Sequence, residues 1–593
     1  MTIEKYEKQA AIASAEGKIL RKKSDQLSWT RLIVFIIGVA VFIYLFSVTW
    51  IAALLFFVVF LLGFGRFVAY QQRLEAKASF FEQIANINVR EVKFLNHDIQ
   101  AFDKGEDFLE PEHPYSLDLD IFGNYSFFQY INRSVTAIGR KRLAFMLKYP
   151  ATAQEIALRQ NAIAELADNE AFRHEFMALG QQATDELSHI NQLNHWLEKP
   201  NIVLGNRMLE AALWVVPITF VGICYLVIST QVWSLSMLFF VLPAIVSYFI
   251  LNKVNEAHQD VSKIKNILEK YASLIQSVEN QDFRNEKLIL LKNNLFDDKA
   301  KNATAALRRL AYLSAQLDAR LNILAFVFQL SVLWDAQYIY RLDKWKMAYK
   351  NALPRWFESL QELDALISMA SAAHNNPDWI FPKLSYNANL KAVEMGHPLL
   401  HVSKRICNDF EMPTEGHLKL LTGSNMAGKS TFLRTIGSNI VLASIGMPVC
   451  AKQFESPILH VYSSMRTQDE LSESTSSFYA ELKRLKTIIE ATEARKDIFF
   501  LLDEILKGTN SNDRHTGSKA LINQMIDSKG AGIVATHDLE LGTMAQSANG
   551  TIENLCMEVD IINDRLSFDY KLKKGVSKSF NATYLMRSMG IKC

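Results

Sequence analysis

Residues 32–65 and 213–251 contain no Asp, Glu, Lys or Arg. As one helix, the first stretch would run about 50 Å at 1.5 Å per residue, too long for one crossing of a hydrocarbon layer about 30 Å thick. Split near Ser47 and Trp50, it becomes two spans in a tight hairpin. The second stretch repeats the design, with a polar break at Ser229, Thr230 and Gln231 and with Trp233 just beyond. Pro217 and Pro243 fall inside it, and membrane helices tolerate proline. A third apolar run, residues 323–334, is too short to span and reads as a buried helix.

Elsewhere the pattern is that of packed helices. Apolar residues recur at helical spacing over 155–169 and 182–197, and residues 254–278 are amphipathic. From about residue 386 short apolar strands alternate with helices, as in an α/β nucleotide-binding domain. Near the end, Leu566, Phe568, Tyr570 and Leu572 alternate with polar residues after Asn563 and Asp564, which reads as an antiparallel hairpin at a sheet edge. The expected organisation is a cytoplasmic segment (1–30), a first transmembrane hairpin (31–68) and a helical region (69–205). A second hairpin (206–252), more helices (253–385) and the α/β domain (386–593) follow.

Charge orients the hairpins. Arg21, Lys22, Lys23, Arg31, Arg66, Arg73 and Lys77 flank the first, and Arg207, Lys253 and Lys263 the second, while the turns inside carry no Lys or Arg. The positive-inside rule places the N-terminus and the α/β domain in the cytoplasm of a plasma (inner) membrane protein. The net charge of +2 gives no global attraction for nucleic acid, so such contact must be local. Lys292, Lys299, Lys301, Arg308 and Arg309 form only a loose cluster that reads as a solvated helix face. Five scattered cysteines, with no C-x-x-C pair, suit a reducing compartment.

The chemistry concentrates in the last third. Gly423, Ser424, Asn425, Met426, Ala427, Gly428, Lys429 and Ser430 fit the phosphate loop G-x-x-x-x-G-K-[ST], followed by Thr431 and a helix. In such a loop backbone N–H groups cradle phosphates and the helix N-terminus adds a partial positive charge. Lys429 supplies a cation for the β- and γ-phosphates of ATP, and Ser430 is placed to hold Mg²⁺. Residues 498–502 form an apolar strand ending at Asp503, expected to reach the Mg²⁺, and Glu504, expected to activate water. A further strand, 533–536, ends at His537, a candidate γ-phosphate sensor, and Asp513 shapes the loop after the Asp-Glu pair.

These segments together resemble the MutS family. Residues 422–431 look like its form of the phosphate loop. Residues 469–478 with Glu481 resemble its Ser-Thr-Phe stretch, 503–509 its Walker B, 535–541 its histidine switch, and His397 with Asn408 and Asp409 its lead into the site. Weaker likenesses cover 117–166, with Arg133 to Gly139, and 363–366, both like its core and lever helices. The resemblance implies a P-loop NTPase of ABC type and a homodimer with composite ATP sites, Ser476 contacting the γ-phosphate bound to the partner. It also implies action on DNA, as in mismatch repair or recombination.

Departures qualify this. Arg514 stands where the family has Gly, Ser477 replaces Thr, Ser424 replaces Pro, and Arg405 and Ile406 occupy the neighbourhood of an adenine-stacking aromatic, leaving base selectivity open. A guanidinium could stack there instead. No mixed α/β mismatch-reading domain is read ahead of the core, and Phe80 to Glu82 fall on a helix leaving the membrane. A transport ATPase is disfavoured, because no Leu-Ser-Gly-Gly-Gln signature precedes Asp503 and the spans hold no charge. A membrane-tethered switch acting on a protein partner remains as the alternative.

Overall fold

The computed structural model describes residues 2–183, 186–261, 264–296, 302–318, 329, 331–385, 387–424, 426–466, 477–495, 497–548, 550–562 and 565–577. The first uncharged stretch folds as an antiparallel pair, α1 (Thr2–Val48) and α2 (Trp50–Leu95), that turns at the extended residue Thr49. The break falls where the length argument puts it. The helices do not stop at the apolar boundary: residues 1–30 and 69–95, expected as a lead and as core, largely continue the same two helices. Small residues close the seam. A Cβ on Gly38 would lie 2.3 Å from the Phe60 ring, and Ala53 and Ala78 are buried. The outward apolar side chains stay exposed, among them Ile36, Leu55 and Leu62. The first turns of α1 dock far away in sequence, where the Tyr6 hydroxyl donates to Asn375 Oδ1 (2.9 Å) and Lys5 pairs with Glu170.

The helical body follows: α3 (Phe127–Ile131), α4 (Ala137–Lys148), α5 (Ala153–Asp168), α6 (Glu170–Gly180) and α7 (Leu187–Glu198). Thr136, Thr152 and Asn169 cap the starts of α4, α5 and α6 by accepting a backbone N–H, which is why those helices begin there. The second uncharged stretch gives α8 (Arg207–Thr230) and α9 (Leu238–Val261), with Pro217 and Pro243 inside. Then come α10 (Lys265–Glu279), α11 (Glu286–Asn293), α12 (Ala303–Asp318), α13 (Trp334–Tyr349) and α14 (Ala352–Asn375). The amphipathic run 254–278 is divided between α9 and α10 rather than forming one helix. Residues 323–328 and 330 of the third apolar run, together with Lys299, Lys301 and the turn residues Asn563 and Asp564, lie outside the described residues.

Helix α14 is the spine of this body, buried on nearly every side from Leu353 to Ala372. Its Asp364 accepts from the backbone N–H of Thr136 (2.9 Å) and the Thr136 hydroxyl (2.6 Å), so it caps α4 from 228 residues away. A Cβ on Gly139 would lie 2.2 Å from that carboxylate, which excludes any larger residue.

Beyond α14 the chain forms β1 (Lys383–Leu384), β2 (Asn389–Met395), β3 (Asn408–Pro413), β4 (Leu418–Thr422), β5 (Gln453–Ser456), β6 (His460–Ser464), β7 (Ile498–Asp503), β8 (Ala531–Thr536), β9 (Ile552–Ile562) and β10 (Arg565–Lys574). The smaller sheet runs β1-β5-β2-β3 and the larger β10-β9-β4-β8-β7-β6. In the larger one β9, β4, β8, β7 and β6 are parallel, and β10 closes the edge antiparallel to β9, as the terminal alternation predicts. Strands β4, β7 and β8 are buried along almost their whole length, as befits parallel strands covered on both faces. Helices α15 (Lys429–Ile445), α16 (Ser477–Ala494), α17 (Ser511–Asp527) and α18 (Met544–Ser547) complete this part.

Candidate functional site

Register assembles the site. Thr422 at the end of β4 lies opposite Thr536 of β8, and Asp503 at the end of β7 lies opposite Ala535. Three segments distant in sequence, the loop after β4, the Asp-Glu pair and His537, therefore meet at one carboxyl edge, where α/β sheets bind ligands. Leu418, Leu420 and Leu421 are buried in β4, so the loop springs from a rigid strand.

Met426 (φ 73) and Gly428 (φ 97) take left-handed backbone, which turns the loop sharply before α15 begins at Lys429. A Cβ on Gly428 would lie 2.9 Å from the Tyr570 ring, so only glycine fits between that ring and the helix start. Ala427 is buried, Met426 exposed, and the Ser424 hydroxyl is buried without a hydrogen-bond partner among the described residues. Gly423 packs against the Met557 carbonyl, and the Thr431 carbonyl accepts the Thr435 hydroxyl inside α15. Asn425 and Ser476 lie outside the described residues.

Lys429 is buried, its Nζ donating to the carbonyls of Gly423 (2.8 Å) and Ser424 (3.1 Å). Burial lowers its pKa, against the pull of Glu504 and Asp503. The Ser430 hydroxyl donates to Asp503 Oδ2 (2.5 Å). The other oxygen, Oδ1, is buried with no hydrogen-bond partner among the described residues. Burial, reinforced by Glu504, raises the Asp503 pKa despite the Ser430 bond. An unpartnered carboxylate oxygen beside a hydroxyl is a hard-oxygen donor set suited to a divalent cation.

Glu504 follows in left-handed backbone (φ 51), its N–H donating to the Ala535 carbonyl (2.8 Å). Burial pushes its carboxyl up, but Lys507 at 3.0 Å, with His537 and Lys429, brings the net shift downward, so it is held ionised. His537 Nδ1 lies 3.6 Å from Glu504 Oε1. Asp513 lies in the first turn of α17: its carboxylate accepts from Asn510 Nδ2 (2.7 Å), and its N–H donates to Asn510 Oδ1 (2.9 Å), which caps that helix. Arg514 continues the same turn, a position where a helix needs no glycine.

The structure adds groups that sequence reasoning passed over. Tyr570, read only as part of an alternating strand, walls the phosphate loop, stacked on Phe568 with ring centroids 5.7 Å apart. It is left-handed (φ 50) at a register shift in β10, and Asn408 Nδ2 donates to its carbonyl (3.0 Å). Arg405 does not stack: its guanidinium donates to the carbonyls of Leu400 (2.7 Å) and Pro398 (3.4 Å), committing it to the loop after His397. No periodicity signals either arrangement, because both are set by side-chain reach across separate strands.

Residues 419–589 match the family described as MutS domain V. The chain is 30% identical over 254 residues to the DNA mismatch repair protein MutS of Leptospira interrogans serovar Lai, covering 41% of this chain and 29% of that protein. It is 31% identical over 236 residues to MutS of Thermosipho melanesiensis, covering 39% and 28%. It is 30% identical over 242 residues to the endonuclease MutS2 of Carboxydothermus hydrogenoformans, covering 40% and 30%. The chain thus spans less than a third of the length of these relatives.

Proposed function

We propose that this chain is a membrane-anchored, MutS-like ATPase that works as a dimer and acts on DNA. The observation that carries the ATPase reading is the convergence, at one sheet edge, of the phosphate loop, the Ser430–Asp503 pair with its unpartnered oxygen, and Glu504 beside His537. Lys429 and the N-terminus of α15 receive the triphosphate. Ser430 and Asp503 would hold a divalent cation, which when bound withdraws charge from the phosphate oxygens. Glu504, kept ionised by Lys507, takes a proton from the attacking water, and His537 orients that water or senses the γ-phosphate. Ser476 of each copy completes the other's site, and exchange between bound and hydrolysed nucleotide shifts a closed dimer to an open one.

Similarity to mismatch repair proteins supports the DNA reading. The near-neutral charge favours the second reading, a tethered ATPase switch on a protein partner or in transport. The bilayer anchor is supported by three helices, among the described residues, long and apolar enough to cross a membrane: Ile3–Val48, Trp50–Leu95 and Arg207–Thr230. Aromatic residues sit where belts belong. Exposed Trp29 lies about 29 Å before the turn and exposed Tyr70 about 30 Å after Trp50, at 1.5 Å per residue.

Lys429→Ala should abolish ATP binding, whereas Glu504→Gln should bind ATP normally, lose at least 100-fold in kcat and accumulate as a closed dimer by crosslinking. Parental turnover by Glu504→Gln would remove it as the base. ATPase rates of the detergent-solubilised protein with homoduplex, mismatched, branched or no DNA decide between the readings, and stimulation by none of them, with no salt-dependent DNA binding, would leave the protein-partner reading.

A further inference from the structure

We infer that Glu481 is a positioning residue whose carboxylate, carried on α16, clamps the turn that aims Glu504 at water. This rests on the reading of Glu504 as the water-activating group.

The turn is under strain. Glu504 (φ 51) and Leu506 (φ 59) both adopt left-handed backbone, a region that side chains other than glycine rarely enter. Two such residues so close together persist only where the surroundings over-determine them. One restraint is the Glu504 N–H bond to Ala535 on β8. A second is burial of the Leu506 side chain in the core beneath the sheet, against Gly517 of α17. The third is Glu481. Its Oε1 accepts the Leu506 N–H, and the Lys507 N–H bonds the same carboxylate.

These N–H groups belong to the strained residue and to the residue whose ammonium holds Glu504 at 3.0 Å. Helix α16 also meets the end of the turn, because a Cβ on Gly508 would lie 2.7 Å from Phe478 Cβ. The base is therefore aimed by the seat of α16. Ser476, the residue proposed to meet the partner's nucleotide, adjoins in sequence the first described residue of that helix, Ser477. A helix that touches one ATP thus fixes the geometry of the base that hydrolyses another.

The test compares Glu481→Gln and Glu481→Ala with the parent as full-length protein in detergent. Steady-state ATP hydrolysis and equilibrium binding of radiolabelled ATP are measured for each. Glu481→Ala should lose at least tenfold in kcat with an ATP Kd within twofold of the parent. Glu481→Gln, which keeps one acceptor, should fall between Glu481→Ala and the parent. For Glu481→Ala, a kcat within twofold of the parent, or an ATP affinity that falls as far as kcat, would each overturn the inference. If Glu481→Ala does not fold, Glu481→Gln decides by the same split between kcat and Kd. Parental turnover by Glu504→Gln would sink the base assignment itself, whatever Glu481 does.

Discussion

At Glu91 and Arg133 two opposite charges lie almost wholly out of water, at 4% and 3% side-chain exposure, joined by bonds of 2.7 and 3.1 Å. Asn375 donates to the same carboxylate (2.7 Å), and the guanidinium stacks over Phe94 and Phe102. Such a pair adds little net stability, yet breaking it strands a buried charge. Arg133→Met should therefore cost about 3–5 kcal/mol. Adding Glu91→Leu should return most of that loss, and denaturant titration of the four proteins in the cycle measures the coupling. Arg133 was marked in the sequence only through its likeness to a core region. Its partner, 42 residues away on α2, had no signal, because charge pairing leaves no periodicity.

Among the elements, the segment between α2 and α3 does more than connect. It straps the α/β part. Asp118 accepts from the Ser463 hydroxyl (2.7 Å) and the N–H groups of Met465 and Arg466, and Arg434 on α15 donates to its carbonyl (2.9 Å). Arg484 on α16 donates to the carbonyls of His113 and Pro114. At the far end of α15, Ala151 N–H bonds the Ser444 carbonyl (2.9 Å), and a Cβ on Gly446 would lie 2.9 Å from Arg159 Cβ. The helix that begins at the phosphate loop thus ends against α5 of the helical body.

The strap carries a pH dependence. His113 Nδ1 accepts the N–H of Ser116 (3.2 Å) while Nε2 donates to the Lys148 carbonyl (3.1 Å), an arrangement only a neutral ring can make. Burial, with Lys148 and Arg484 nearby, lowers its pKa to about 4, and burial lowers His174 and His397 to about 4 as well. A histidine whose folded pKa lies below its unfolded value, about 6.5, stabilises fully above that value and loses the contribution as pH falls towards 4. Asp364 acts oppositely. Burial raises it to about 6, so its contribution is complete below about 3.9 and fades as pH rises through 6. Among the groups shifted furthest in this range these three histidines oppose Asp364 alone, so Tm should fall between pH 7 and pH 4.5. His113→Gln should start lower at pH 7 and fall less steeply, and thermal melts across that range check both.

For the whole molecule, the decisive prediction concerns the bilayer. The protein should resist extraction by alkaline carbonate and yield to detergent. Ser47→Cys and Ser229→Cys, at the two turns, should react with an impermeant thiol reagent added from outside, while Ser24→Cys should not. Labelling of Ser24→Cys in intact cells would reverse the orientation, and release by carbonate would remove the anchor. The α1–α2 pair also meets the helical body at the end away from its turn, through Tyr6, Lys5 and Glu91.

The order of residues along the chain already determined the hairpin turn near residue 49, the strand–loop–helix around Gly428 and Lys429, and the two strand ends that carry Asp503 with Glu504 and His537. Each follows from neighbours within a turn or two, through span length, unbroken apolar runs or the left-handed backbone that glycine supplies. Packing alone decided that Asp364 caps α4, that Arg405 turns to its own loop, that Tyr570 walls the loop at Gly428 and that Glu481 holds the turn beyond Glu504. Those contacts join residues far apart in the chain, and a carboxylate or an aromatic ring does not reveal its partner until close packing has used up the alternatives.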